Sequence, residues 1–258
     1  MGEGAEARYG VLGWPVGHSR SPAMMRAAGL DRYQHLPVAP EVFADTVRAL
    51  GAAGFRGANV TIPHKEAALA AADSASEAAR AIGAANTLTF GADSAVAAEN
   101  TDAPGLIAAL GERIPDTALV LGAGGSARAA VWALTRAGVD VSVWNRTPER
   151  AATLGVRVVA QPHPADLLVN CTSVGLDRSS MDFKDLPLDA DGLREYTTVV
   201  DLVYRTGGTS LIAEALRRGV HTVDGLEILV RQGALTFTLW TGLPAPLDDM
   251  RAAVRDAG

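Results

Sequence analysis

Lysine is nearly absent from this chain. Of its 23 basic residues only Lys65 and Lys184 are lysines, and the other 21 are arginines. Cysteine is reduced to one residue, Cys171, which excludes an intramolecular disulfide and fits a reducing compartment. Aromatics make up 5% of the chain, so alanine and valine supply the bulk of any core. No apolar run reaches the ~18 residues a membrane helix needs, and the polar stretch from Met1 to Arg8 has no apolar signal-peptide core. A basic excess is missing too: the net charge of −6 leaves no electrostatic footprint for nucleic acid. These absences predict a soluble, cytoplasmic protein with no nucleic-acid or membrane partner.

What is present suits buried cores. Hydrophobic residues are 48% of the 258 and charged ones 20%, a globular composition. At roughly 100–200 residues per domain, this length allows one large or two modest domains. Short apolar strands alternate with alanine-rich helical stretches, the pattern of an α/β fold with parallel sheets. Strands are expected at 9–14, 33–39 and 55–62, with helices from Ser21-Pro22 and over 41–53. Serine at the N-cap and proline in the first turn make a good helix start. Strands at 84–90 and 95–100 flank a Gly91-Ala-Asp-Ser94 turn as a hairpin, and a helix follows from about Ala103. After Pro115 the pattern restarts: strands at 118–121, 139–144, 166–171 and 198–203, and a last helix over 227–240. This places residues 1–104 with 226–258 in one domain and residues 105–225 in another.

Lysine can exchange a proton where arginine cannot, so an amine kept in an arginine-rich chain is a candidate acid/base. Lys65 closes Asn59-Val-Thr-Ile-Pro-His-Lys65, whereas Lys184 sits in an acidic Asp182-Phe-Lys-Asp185 run and reads as a surface residue. A second chemical signal lies at Gly122-x-Gly124-x-x-Ala127, with Gly125 and Ser126 inside it. Glycines between a strand and a helix let backbone N–H groups approach a pyrophosphate at the positive helix end. Cofactor choice is read about twenty residues on, where an acidic side chain would take a ribose 2′-hydroxyl and a guanidinium a 2′-phosphate. The chain has Asn145, Arg146 and Thr147 there, with Arg150 one helical turn beyond, which points to NADP(H).

Polar clusters end the strands of the first domain, where ligands of open α/β sheets bind. Ser19 and Ser21 put two hydroxyls within reach of one carboxylate, or serve a turn and a helix cap. Asn59 and Thr61 share a strand face by period two, and Asn59 reads as a loop holder. Asn86 and Asp102 end two further strands; Asp102 is either the cap of the next helix or the partner carboxylate of Lys65. Gln232 interrupts an apolar stripe Ile228–Leu235–Leu239 and must satisfy its donors and acceptor with protein or ligand. No metal site is read.

Together these segments resemble the shikimate dehydrogenases of the AroE type. The resemblance rests on nine motifs in order: Gly17-His-Ser-Arg-Ser-Pro22, Asn59-Val-Thr-Ile-Pro-His-Lys65, Gly83-Ala-Ala-Asn-Thr87, Asn100-Thr-Asp102, Gly122-Ala-Gly-Gly125, Asn145-Arg-Thr147, Asn170-Cys-Thr-Ser-Val-Gly175, Asp201-Leu-Val-Tyr204 and Gln232-Gly-Ala with Leu239-Trp-Thr-Gly242. It implies an N-terminal α/β substrate domain and a Rossmann-like NADP-binding domain with a cleft between them. It further implies NADPH-dependent reduction of 3-dehydroshikimate to shikimate, by a monomer or homodimer. By the same resemblance Ser19, Ser21 and Tyr204 serve the substrate carboxylate, and Thr61, Lys65, Asn86, Asp102 and Gln232 the ring hydroxyls. Thr172, Leu202 and Gly225 line the nicotinamide end, and Lys65 with Asp102 is the catalytic pair. The chain departs from the family at Met25-Arg26, Ala103, Thr206 and Ile228. Quinate or an amino-analogue as substrate, or a non-catalytic NADPH-binding regulator, are the competing readings.

Overall fold

The computed structural model describes residues 7–112, 114–176 and 183–256. The chain divides into two compact units, Met1–Asp102 with Val230–Gly258, and Ala103–Leu229. Both crossings lie inside helices, where no loop composition marks a border, so these limits differ by a few residues from those read in the sequence.

The first unit runs β1 (Arg8–Gly13), α1 (Ser21–Ala27), β2 (Tyr33–Pro37), a 3-10 turn at Pro40–Val42, α2 (Phe43–Ala52), β3 (Phe55–Val60), α3 (Lys65–Ala71), β4 (Ser74–Ala75), α4 (Glu77–Ile82), β5 (Thr87–Phe90) and β6 (Val96–Glu99). Its sheet has the order β2-β1-β3-β5-β6-β4. The parallel sheet expected for this half is in fact mixed. β1 pairs in parallel with β2 and β3, but β5 is antiparallel to both β3 and β6. The short turn between β5 and β6 is the cause, since a tight connection can join only antiparallel strands. One result matters for the site. Reversal of β5 brings its first residue to the edge where β1, β3 and β6 end, with Asn59, Thr87 and Glu99 side by side in register.

Two helices carry the chain between the units, α5 (Asp102–Leu110) and α9 (Gly225–Thr241), and α10 (Leu247–Asp256) ends the described chain. The apolar stripe expected on α9 is misplaced. Leu235 and Leu239 are exposed, while Gln232 and Thr236 are buried. At i, i+4 spacing, Gln232, Thr236 and Trp240 share one face. Trp240 stacks on Tyr9 with ring centroids 5.0 Å apart. A side chain at Gly57 would collide with it, its Cβ falling 2.3 Å from the indole. Strand β3 thus needs a glycine where the indole lies against it.

The second unit follows with β7 (Thr117–Leu121), α6 (Gly125–Arg136), β8 (Asp140–Trp144), α7 (Pro148–Ala152), β9 (Arg157–Val158), β10 (Leu167–Asn170), β11 (Thr198–Asp201), α8 (Ser210–Arg217) and β12 (His221–Val223). Its six strands are all parallel, in the order β12-β11-β10-β7-β8-β9. Alternation along β7 sends Ala118 and Val120 into one core, with α6, and Leu119 and Leu121 into another, with Leu193, Tyr196 and Leu211. A sheet covered on both faces explains why these strands are continuous apolar runs. Among the described residues, no helix is long and apolar enough to cross a membrane.

Substituting Gly57→Ala forces the indole off the sheet. Overpacking of this kind costs about 1–3 kcal/mol, so the variant is expected to melt several degrees below the parent. An unchanged Tm in a thermal scan counts against this packing account.

Candidate active site

Five of the polar residues singled out in the first unit, Asn59, Lys65, Asn86, Asp102 and Gln232, form one connected network at the strand edge just described. Its fixed point is the backbone of Thr101, whose N–H donates to Oδ1 of Asn86 at 2.7 Å. A backbone N–H is only ever a donor, so the carboxamide of Asn86 can face only one way. Nδ2 of Asn86 then donates to Oδ1 of Asp102 at 2.9 Å and toward Oε1 of Gln232 at 3.2 Å. The other oxygen of Asp102 accepts from Nζ of Lys65 at 2.7 Å, in a pair whose side chains are only 14% and 13% exposed. Both partners of the carboxylate are donors, the arrangement of an anion holding an ammonium. Asp102 is the first residue of α5, with its carboxylate committed to Lys65 and Asn86; the partner reading is the one the geometry supports.

Beneath this layer lies a set of hydroxyls to which the sequence reading assigned no site role. Thr236 lies 3.0 Å from Thr87 and 3.1 Å from Thr101, oxygen to oxygen, and Asn59 donates to Thr87, Thr236 and the carbonyl of Asn86. Oδ1 of Asn59 is held in turn by the hydroxyl of Tyr33 at 2.8 Å. All are buried. Asn59, a residue of β3, is therefore a member of the support and also holds the Asn86 segment. Thr236 had a readable signal, one helical turn after Gln232 on the same face.

Lys65 opens α3 and is placed by its predecessor. His64 is 2% exposed, stacks on Phe43 at 4.3 Å and meets the carbonyl of Val38 through Nε2 at 2.7 Å. Burial lowers its pKa, against an opposing pull from the Val38 carbonyl. The backbone carbonyl of Lys65 accepts from the N–H of Ala85, which ties α3 to the segment carrying Asn86. Thr61 is half-buried, with its methyl against Gly13.

Ser19 and Ser21 form a second pair. The Ser19 hydroxyl donates to Oγ of Ser21 at 3.2 Å and accepts the Ser21 N–H at 3.3 Å. Ser21 is the first residue of α1 and not its N-cap as expected. Arg20 occupies the cap, in a near-helical conformation (φ −89°, ψ 0°) with no side-chain cap. The guanidinium of Arg20 is buried and donates to the carbonyl of Val254 at 2.5 Å, which fixes the residue between the two serines.

In the second unit the glycine motif falls where expected, between β7 and α6. Gly122 has φ +110°, a conformation that favours glycine, and its missing side chain would meet the backbone of Cys171 and Thr172 at 3.1–3.3 Å. Gly124 caps α6, and a Cβ there would meet nothing within 4 Å. First-turn N–H groups of a helix have no intrahelical partner, so the turn has both the room and the donors for a pyrophosphate. It also follows the central strand, where the strand order reverses direction and dinucleotides bind. After β8, Asn145 donates to the carbonyl of Thr147 at 2.7 Å, and Arg146, Thr147 and Arg150 are exposed. The residues present fit an NADP-type dinucleotide. Ser126 and Ala127 lie in the first turn of α6; Thr172, Leu202 and Tyr204 follow β10 and β11; Gly225 opens α9.

Sequence reasoning passed over Asn170 and Asp201 as site residues, although each ends an apolar strand. Asp201 is 1% exposed; burial pushes its pKa up to about 6, against the lowering effect of hydrogen bonds from Thr209, Val203 and Asn170.

This is the architecture of two-unit α/β proteins that bind a dinucleotide on a doubly wound sheet. Comparison with known proteins narrows it. Residues 11–88 match the shikimate dehydrogenase substrate-binding domain, and residues 225–255 match the shikimate 5′-dehydrogenase C-terminal domain. The chain is 43% identical to the shikimate dehydrogenase (NADP(+)) of Paracoccus denitrificans, over 95% of this chain and 94% of that protein. It is 44% identical to the corresponding protein of a Thermus thermophilus strain, over 97% and 98%. The crystal structure of shikimate 5-dehydrogenase (AroE) from another strain of Thermus thermophilus, solved in complex with NADP(H) and shikimate, superposes with a TM-score of 0.86 at 42% identity, over 98% of this chain and all of that one. The chain belongs to the shikimate dehydrogenase family.

The raised pKa of Asp201 makes a signed prediction. The folded protein holds this proton more tightly than the unfolded chain between pH 3.8 and about 6. Its contribution is therefore complete below that window and is lost as pH rises through it, by roughly 3 kcal/mol at about 1.4 kcal/mol per pH unit. An Asp201→Asn variant lacks this titration. The stability gap between parent and variant, read from urea midpoints, should shrink from pH 4 to pH 6 and stay level above. A gap independent of pH contradicts the assignment.

Proposed function

We propose that the protein catalyses the reversible NADPH-dependent reduction of 3-dehydroshikimate to shikimate, on the route to chorismate and the aromatic amino acids. The observation that carries this reading is the Lys65–Asp102 pair, 2.7 Å apart and locked by Asn86, in a chain of this family. In this reading Ser19 and Ser21, with Tyr204, receive the substrate carboxylate, and Thr61, Lys65, Asn86, Asp102 and Gln232 meet the ring hydroxyls. NADP(H) is held by Gly122, Gly124, Gly125, Ser126 and Ala127 at the pyrophosphate. Asn145, Arg146, Thr147 and Arg150 take the 2′-phosphate, and Thr172, Leu202 and Gly225 the nicotinamide end. The protein works in the cytoplasm, on small molecules and without nucleic acid, as a monomer or homodimer; residues 1–104 with 226–258 form its substrate domain and 105–225 its NADP domain.

When bound, the reduced nicotinamide supplies a hydride to the substrate carbonyl carbon. Charge then develops on the carbonyl oxygen, and the ammonium of Lys65 donates a proton to it, leaving a hydroxyl on the substrate and a neutral amine. Asp102 holds the ammonium in place before the step through the 2.7 Å contact with Nζ.

The deciding measurement is the initial rate with shikimate and NADP, followed through absorbance of the reduced nicotinamide. Turnover is expected; tight NADPH binding with no turnover on shikimate overturns the reading in favour of a non-catalytic binding protein. Positioned acid catalysis is worth ~10²–10⁴-fold, so Lys65→Ala should lower kcat by that factor while NADPH affinity stays as in the parent. Near-normal turnover in that variant sinks the role of Lys65. Cofactor choice is tested separately. Arg146→Ala should weaken NADP relative to NAD by about tenfold, the loss of one charge-assisted contact, and an unchanged ratio removes Arg146 from the 2′-phosphate site.

A further inference from the structure

The second unit holds a buried network of its own, built on a carboxylate to which the mechanism gives no part. Asp201 is the last residue of β11 and faces Asn170, its register partner at the end of β10. Its Oδ2 accepts the hydroxyl of Thr209 at 2.6 Å, and its Oδ1 accepts Nδ2 of Asn170 at 2.9 Å and the N–H of Val203 at 3.1 Å. Oδ1 of Asn170 in turn accepts both the N–H and the hydroxyl of Thr172, at 3.1 and 2.7 Å. The chain closes where Oγ1 of Thr172 accepts the N–H of Val174 at 3.2 Å.

Two glycines rest on what this chain fixes. The α-carbon of Gly122 sits against the Cys171–Thr172 peptide, and the α-carbon of Gly225 sits against the carbonyls of Leu202 and Val203, where a Cβ would fall at 2.6–2.8 Å. We propose that Asp201 is a positioning residue for the dinucleotide: it sets the two backbone segments against which the glycine-rich turn and the start of α9 are seated. A carboxylate suits this task because both its oxygens accept. Three donors arrive on two sides, and an asparagine could offer an oxygen to only one side while turning an N–H₂ toward the other. The inference rests on the NADP(H) reading above, and adds to it a residue that acts through the backbone segments it holds.

The test is equilibrium binding of NADPH, by fluorescence titration, to the full chain and to the Asp201→Asn and Thr209→Val variants, with shikimate binding and melting temperature measured alongside. A hydrogen bond to a charged group is worth enough to predict a rise in the NADPH Kd of about tenfold for Asp201→Asn. Thr209→Val should give a smaller rise in the same direction, and both variants should bind shikimate as the parent does. If Asp201→Asn does not fold, the Thr209→Val titration carries the test. Kd values for NADPH equal to the parent's, with only the melting temperature lowered, overturn the inference and leave Asp201 a purely structural residue. Failure of the parent itself to bind NADPH overturns the functional reading, and this inference with it.

Discussion

The hydrogen bond from the Thr101 N–H to Oδ1 of Asn86 sets the polarity of everything above it. A carboxamide is nearly symmetric in shape, so packing alone does not decide which end is the oxygen. A backbone donor at 2.7 Å does. From that point each assignment is forced in turn: Asn86 donates to Asp102, Asp102 keeps one oxygen for Lys65, and Gln232 turns its oxygen toward Asn86. Reversal of the amide would set oxygen against carboxylate, in surroundings where an unsatisfied buried polar group costs about 1–3 kcal/mol. One peptide thus defines the direction of a network that reaches α3, α5 and α9.

Such a network is destabilising when left half-made, and the fold commits α9 to completing it. That helix turns two leucines to the exterior and sends Gln232 and Thr236 inward, which only makes sense if the inward groups have work to do. The hydroxyls of Thr87, Thr101 and Thr236 are close enough to bond to one another, and Asn59 and Tyr33 close the set from below. Asp201 plays the corresponding part in the second unit. Both units use a carboxylate whose oxygens are claimed by different neighbours, and both place it where a strand or strand-end loop gives way to the site.

This also explains where the sequence was legible. Strands with unbroken apolar runs, such as β7, β10 and β11, were readable to within a residue or two, because a sheet buried on both faces leaves no ambiguity. The hairpin of β5 and β6 was readable from its turn, though its effect on strand direction in the first sheet was not. Short helices such as α3 and α8 carry too few turns to show a period, and α10 shows only Met250 and Val254 as buried apolar positions. The face of α9 was misread for a different reason: a helix lining a site obeys the needs of the site before those of amphipathicity. The structure brings Lys65, Asn86, Asp102 and Gln232 into one network; Thr236, Thr87, Asn170 and Asp201 are individually ordinary and become meaningful only when two distant segments meet.

The lysine at position 65 acquires its reason at the same place. Arginine is this chain's default cation, and a guanidinium at position 65 would engage Asp102 as a planar fork, seeking both carboxylate oxygens. Oδ1 already belongs to Asn86. An ammonium is a compact point charge that needs only Oδ2, so it is compatible with an amide whose direction the Thr101 backbone has fixed. Geometry and the proton transfer proposed for Lys65 therefore ask for the same residue. The fork would break the network, and its bound proton would be unavailable to a substrate oxygen.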